Sequence, residues 1–137
     1  MNIDEVQRFL VENHNAVLVA RKRNGSPQIT LVTAGVDGAG RVTISARKNT
    51  FKVKNISRDP QVSLLIMGDD FHGSKYYQVD GRAEVIALPE SMDLLMDVYR
   101  RRLGDQMNMD ETRLKIVDQD RVIIRIEIDA VGPQSRG

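Results

Sequence analysis

Six short β-rich runs joined mainly by tight turns predict a mainly β, α+β chain, a small six-stranded antiparallel barrel with peripheral helices. Three observations carry this reading. Asn24-Gly25 separates two β-rich runs, a strong hairpin signal. Asp37-Gly38-Ala39-Gly40 turns the chain again into a third run. The chain contains neither G-x-G-x-x-G nor a Walker lysine, so nothing supports a doubly wound nucleotide-binding sheet.

The elements follow in order. Ile3, Val6, Phe9 and Leu10 repeat at helical spacing behind a candidate cap at Asn2, with Asp4 and Glu5 in the first turn, predicting a helix to about Asn13. Strands are expected over Ala16 to Arg23, Pro27 to Val36 and Arg41 to Ala46. Thr50 is a candidate cap for a short helix with Phe51, Val53 and Ile56 inward, ended by Asp59-Pro60. A buried strand follows from Val62 to Met67. Ser74 to Ala87 is read as a long strand with Gly81 as a bend or bulge. Pro89-Glu90 starts a helix whose inward stripe is Met92, Leu95, Met96 and Tyr99, a spacing that suits core filling. Residues 105 to 118 are polar and part helical, Val122 to Ile128 is the last strand, and 132–137 reads as a mobile tail.

The length of 137 residues suits a single domain, 1–137, able to bury roughly two thirds of its unfolded surface. Twenty basic against 19 acidic side chains produce no global pull toward nucleic acid or membrane, and three Phe and three Tyr without Trp provide no stacking platform for single strands. The absence of cysteine rules out disulfides, thiolate nucleophiles and cysteine-bound zinc. With no 18-residue apolar run and an acidic, amphipathic start, the expectation is a cytoplasmic protein.

Little side-chain chemistry is on offer. His14 and His72 lie in no metal-ligand spacing, Asp69-Asp70 are adjacent loop carboxylates expected to be solvated, and no serine sits in a G-x-S-x-G elbow. Neither a metal site nor a catalytic residue is expected. What stands out is charge: Arg47, Lys48, Lys52, Lys54 and Arg58 meet no acid before Asp59. Cations disfavour a helix N-terminus by roughly 0.3–1 kcal/mol, and no Glu or Gln three residues after Thr50 completes a capping box. A phosphate would relieve that crowding. A solvated rim also looks like this, and the two readings part on whether Lys52 faces a groove or open water. With so little reactive hardware, an enzyme built this way would borrow its chemistry from a phosphate-bearing redox cofactor.

Lys52, Asn55-Ile56, Asp59-Pro60 and Val62-Ser63-Leu64 together resemble the signature of the pyridoxamine-phosphate-oxidase-like split β-barrel flavoproteins, the FMN-binding split-barrel type. Asn24-Gly25-Ser26-Pro27-Gln28-Ile29-Thr30 is similar to their first hairpin, and Tyr76 to Glu84 to their G-x-A-x strand. The resemblance implies a homodimer with cofactor sites at the interface. It implies that Lys52 contacts cofactor phosphate with Thr50 and Ser45 nearby. Gln28, Thr30 and strand backbone would meet the ring, and Tyr76 would approach from the other subunit. Phe51 stands where the vitamin B6 oxidases carry arginine, and their C-terminal substrate motif is missing from Arg121 to Gly137, so B6 oxidation is not expected. The short branch that uses coenzyme F420, a deazaflavin, is closer. Thr50 replaces an arginine that several of its members carry, and Arg47 and Lys48 would supply the charge for the polyanionic tail. The resemblance thus implies an F420-dependent oxidoreductase passing hydride to a small acceptor. The alternatives are an FMN-dependent enzyme of the same fold, a non-catalytic F420 carrier, and a barrel dimer with an empty groove.

Overall fold

A computed structural model describes residues 2–72, 75–132 and 135–136. Along the chain, α1 (Ile3–Glu12), β1 (Asn15–Arg21), β2 (Pro27–Val36), β3 (Val42–Arg47), α2 (Phe51–Arg58), β4 (Gln61–Met67) and β5 (Lys75–Ile86) come first. They are followed by α3 (Met92–Leu103), a 3-10 turn (Gly104–Gln106), α4 (Met109–Asp118), β6 (Arg121–Val131) and a two-residue β7 (Ser135–Arg136). The strands lie in the order β4-β1-β2-β3-β6-β5, every pairing is antiparallel, and β4 with β5 closes the ring. This is the closed six-stranded barrel that the strand pattern predicts. Closure leaves no long unpaired edge except where two strands part.

Alternation fills the inside. Ala16 and Leu18 on β1 oppose Ile66 and Leu64 on β4, while Ala46, Ile44 and Val42 on β3 face Val122, Ile124 and Ile126 on β6. All are buried, as strict period-2 placement requires in a strand with one core face. Val6 and Leu10 of α1 join that core, with Phe9 edge-to-face on Tyr77 at 5.1 Å between ring centroids. Asn2 caps α1, accepting from the Asp4 N–H at 2.7 Å. A second cluster forms outside the barrel, where Leu95 and Met96 of α3 and Ile116 of α4 cover the outward-facing Ile123.

Three expectations change and a fourth, the bulge at Gly81, is refined. Phe51 does not face inward: it is 76% exposed while Val53 and Ile56 are buried. A two-residue offset rotates a helical side chain about 200°, so Phe51 and Val53 cannot share a face. The bulge near Gly81 has its extra residue on β6. Asp80 pairs with Ala130 and Gly81 with Ile128, leaving Asp129 unpaired in the ladder. A Cβ on Gly81 would sit 2.4 Å from the Glu127 carbonyl oxygen, so glycine is what lets the two backbones approach. Helix α3 begins at Met92 rather than Pro89, because residues 89–91 form a turn in which the Met92 N–H donates to the Pro89 carbonyl. Finally, β6 runs three residues past Ile128 to Val131, and Ser135–Arg136 pair with Lys75–Tyr76. The remainder of the tail expectation, at 133, 134 and 137, and the strand start at Ser74 lie outside the described residues.

Candidate functional site

The barrel opens between β2 and β3. Their ladder holds only Ala34↔Ile44, Gly35↔Thr43 and Val36↔Val42, so residues 27–33 of β2 and 45–47 of β3 part company. The Ala34 N–H donates to the His14 carbonyl at 2.8 Å, on the β1 side. Alternation then turns the backbone N–H and C=O of Leu31 and Thr33 the other way, into the opening. A cleft of about 610 Å³ occupies the site.

Its walls come from seven elements and the loop after β4. Arg121 of β6, Ser45 of β3 and Lys52 of α2 form one side; Leu31, Val32 and Thr33 of β2 form the floor. Asn15 and Ala16 of β1, Met67 of β4 and the Gly68-Asp69-Phe71 loop continue it, and Val98, Tyr99 and Arg102 of α3 stand over it. The Arg102 guanidinium lies 5.7 Å from the centre of the Tyr99 ring. Lys52 therefore faces a groove and not open water.

The electrostatics favour an anion. Lys52 is part-buried, and its ammonium is held below the usual 10.5, first by loss of hydration and second by the Arg121 charge. Arg47 and Arg121 are directly opposite in the β3–β6 ladder, an unfavourable like-charge pairing. Among the described residues none of Lys52, Arg121 and Arg102 pairs with a carboxylate. Arg121 is oriented by its Nε donating to Gln119 Oε1 at 2.9 Å. Beside them the Ser45 hydroxyl is buried without a hydrogen-bond partner, an arrangement that costs about 1–3 kcal/mol. Two cations and an orphaned hydroxyl from three separate elements are the donor set a phosphate takes.

Of the residues singled out from the sequence, the fold brings Ser45 and Lys52 together at this cleft. Thr50 occupies the N-cap position of α2, but its hydroxyl donates to the Arg47 carbonyl at 2.9 Å and does not cap the helix. Arg47 at the end of β3 and Lys48 in the turn after it are exposed, and the turn is tied down by the Lys48 N–H donating to the Asp120 carbonyl at 3.1 Å. Gln28 and Thr30 are part-buried on β2 outside the cleft wall, with Gln28 Oε1 accepting from Asn55 Nδ2 at 2.6 Å. Tyr76, on β5, is opposite Met67, again outside the wall. Arg58 is structural, donating to the Arg21 carbonyl and to Asn55 Oδ1. Sequence reasoning passed over Arg121 and Arg102, and it read Asp69 as a solvated loop carboxylate with no role. The Arg47–Arg121 juxtaposition would have flagged the first, had the pairing of β3 with β6 been visible.

A closed antiparallel barrel split at one seam, with a cation-lined cleft at the split and helices over it, defines the class of small split β-barrels. A sequence model described as pyridoxamine 5'-phosphate oxidase matches residues 3–135, and the chain belongs to that family. Solved structures share the fold. A conserved hypothetical protein from Mycobacterium tuberculosis superposes with a TM-score of 0.79 at 23% identity, covering 96% of this chain and 82% of that one. An F420 reductase gives 0.71 at 20%, covering 92% and 94%. An FAD-binding protein from Mesorhizobium loti gives 0.70 at 20%, covering 98% and 93%. Among the described residues no helix is long and apolar enough to cross a membrane.

Proposed function

We propose that this chain binds a phosphate-bearing redox cofactor, coenzyme F420 ahead of FMN, in the cleft at the barrel's split, and passes hydride from it to a small acceptor. The observation that carries the reading is the convergence of Lys52, Arg121 and the orphaned Ser45 hydroxyl on one cleft, beside a strand edge whose backbone groups are free to meet a planar ring. An F420 reductase among the proteins of like fold supports the deazaflavin; an FAD-binding one favours the flavin alternative.

When bound, the cofactor supplies the hydride chemistry. The protein's own part is to hold and orient. Lys52 and Arg121 grip the phosphate with Ser45 and Thr50 close by, and Arg47 and Lys48 extend the positive field toward an anionic tail. The β2 backbone at Leu31 and Thr33 aligns the ring, with Gln28 and Thr30 further along the same strand beyond the cleft wall, and α3 excludes water from one side through Val98 and Tyr99. No side-chain nucleophile is required.

The reading includes a cytoplasmic homodimer with Tyr76 of the partner subunit approaching the ring. Its support is an outward apolar patch: Ile29 is 67% and Leu31 82% exposed, and they neighbour Val19 and Val17 across the ladder, with Leu65 beyond. Exposed aliphatic residues side by side on a sheet face are what a second copy would cover.

The test is a visible spectrum of the purified protein followed by titration with F420 and FMN. Saturable F420 binding, tighter than FMN, is expected; co-purified FMN would reverse the order, and binding of neither would end the proposal. Oxidation of reduced F420 by an acceptor panel then separates an enzyme from a carrier.

A further inference from the structure

The cleft is not uniformly positive. At the end away from Lys52 and Arg121, the loop after β4 places Asp69 on the wall, its Oδ1 accepting from Asn15 Nδ2 at 3.2 Å. Asn15 belongs to β1 and is fixed in register opposite both Thr33 and Met67. The carboxylate is thus oriented by a residue anchored on two neighbouring strands. It has no cationic partner among the described residues.

The strand order sets the separation of the two ends. From β3, which carries Ser45, the sheet runs through β2 and β1 to β4, which leads into Asp69. β3 and β4 stand three places apart in the six-stranded ring, so the two features belong to different walls of the cleft. A ligand filling the cleft therefore meets cations on one wall and an acceptor-only carboxylate on another. We infer that Asp69 is a specificity-determining residue that accepts a hydrogen bond from a neutral N–H on the ring end of the ligand whose phosphate lies at Lys52 and Arg121. A cationic head is disfavoured, because Lys52, Arg121 and Arg102 leave the cleft with more positive than negative charge. An alkyl-capped or acceptor-only edge is disfavoured too, since it would leave the carboxylate facing an apolar or like-charged group. The class selected is a planar heterocycle carrying an imide or amide N–H at one end and an anion at the other. This rests on the cofactor reading above and adds to it which edge of the ring is read, and by which residue.

The probe is 5-deazariboflavin 5'-phosphate and its N3-methyl derivative, which differ only in that N–H, titrated by fluorescence into wild type, Asp69→Ala and Lys52→Ala. Wild type is expected to bind the N–H compound about tenfold more tightly than the methylated one. Asp69→Ala should lose that preference by weakening the N–H compound alone, while Lys52→Ala should weaken both equally. Equal affinity of wild type for the two compounds, or a preference that survives in Asp69→Ala, overturns the assignment of Asp69 while leaving the cofactor reading in place. Failure of both compounds to bind wild type overturns the cofactor reading, and this inference with it. Asp69 is exposed on a loop, and the comparison of the two ligands on wild type stands whatever the variant does.

Discussion

Lys52 is an ammonium that the fold keeps short of water and next to another cation. If it makes a charge-assisted contact with phosphate, Lys52→Ala weakens cofactor binding by about 1.5–3 kcal/mol, and Arg121→Ala acts in the same direction; an unchanged dissociation constant in either variant removes that residue from the site. The pH dependence has a definite sign. Because the folded pKa lies below 10.5, the cost of holding Lys52 charged is fully present below the folded value and is relieved as pH rises toward the unfolded one, so the ligand-free fold gains stability through that window. Anion affinity runs the other way, falling as the proton is lost. In Lys52→Arg, whose guanidinium stays charged past about pH 12, the alkaline decline should move upward. Titrations from about pH 7 to about pH 10 check this, and identical profiles for the two proteins would refute it.

The element that presents Lys52 is a helix of eight residues, too short to stand by propensity alone. Val53 and Ile56 hold it to the barrel, and buried Asn55 ties it to β2 through Gln28 and to its own last turn through Arg58. Replacing Asn55 by leucine leaves the Gln28 and Arg58 groups without that partner and should cost about 1–3 kcal/mol in urea unfolding, with an unaltered m-value. A loss much smaller than this would mean that Gln28 is free to turn elsewhere, including toward a ligand. On β5, Gly81→Ala meets backbone rather than a flexible side chain, so it should destabilise by about 1–3 kcal/mol or more. A fully stable Gly81→Ala protein would show that the bulge can shift.

For the whole molecule, the apolar outer face of β2, β1 and β4 and the split between β2 and β3 lie on the same side of the barrel, with Leu31 common to both. A second copy over that face would wall in the cleft, which couples assembly to cofactor binding. Ile29→Asp, outside the cleft wall but within the patch, should convert a dimer to monomer in analytical ultracentrifugation and lower cofactor affinity together. A monomeric wild type, or a dimeric variant that has lost nothing, would separate the two properties.

The local pattern of the chain was enough to specify most of the barrel. Alternating apolar residues, the Asn24-Gly25 and Asp37 to Gly40 turns, the Asn2 cap and the Asp59-Pro60 stop act through neighbours in sequence, and each recurs in the fold nearly where periodicity puts it. The same locality made Lys52 visible as a candidate, and the family resemblance added Ser45. Locality hid Arg121 and Arg102, and left Asp69 a solvated carboxylate; they reach the cleft from β6, the third helix and a loop. Phe51 went outward because helical rotation, not apolar character, decides a face. Which strands pair, where a ladder stops short, and whose charges then face one another are properties of contacts distant in sequence. The tertiary structure alone could turn a run of cations into a cleft with a positive end and a negative one.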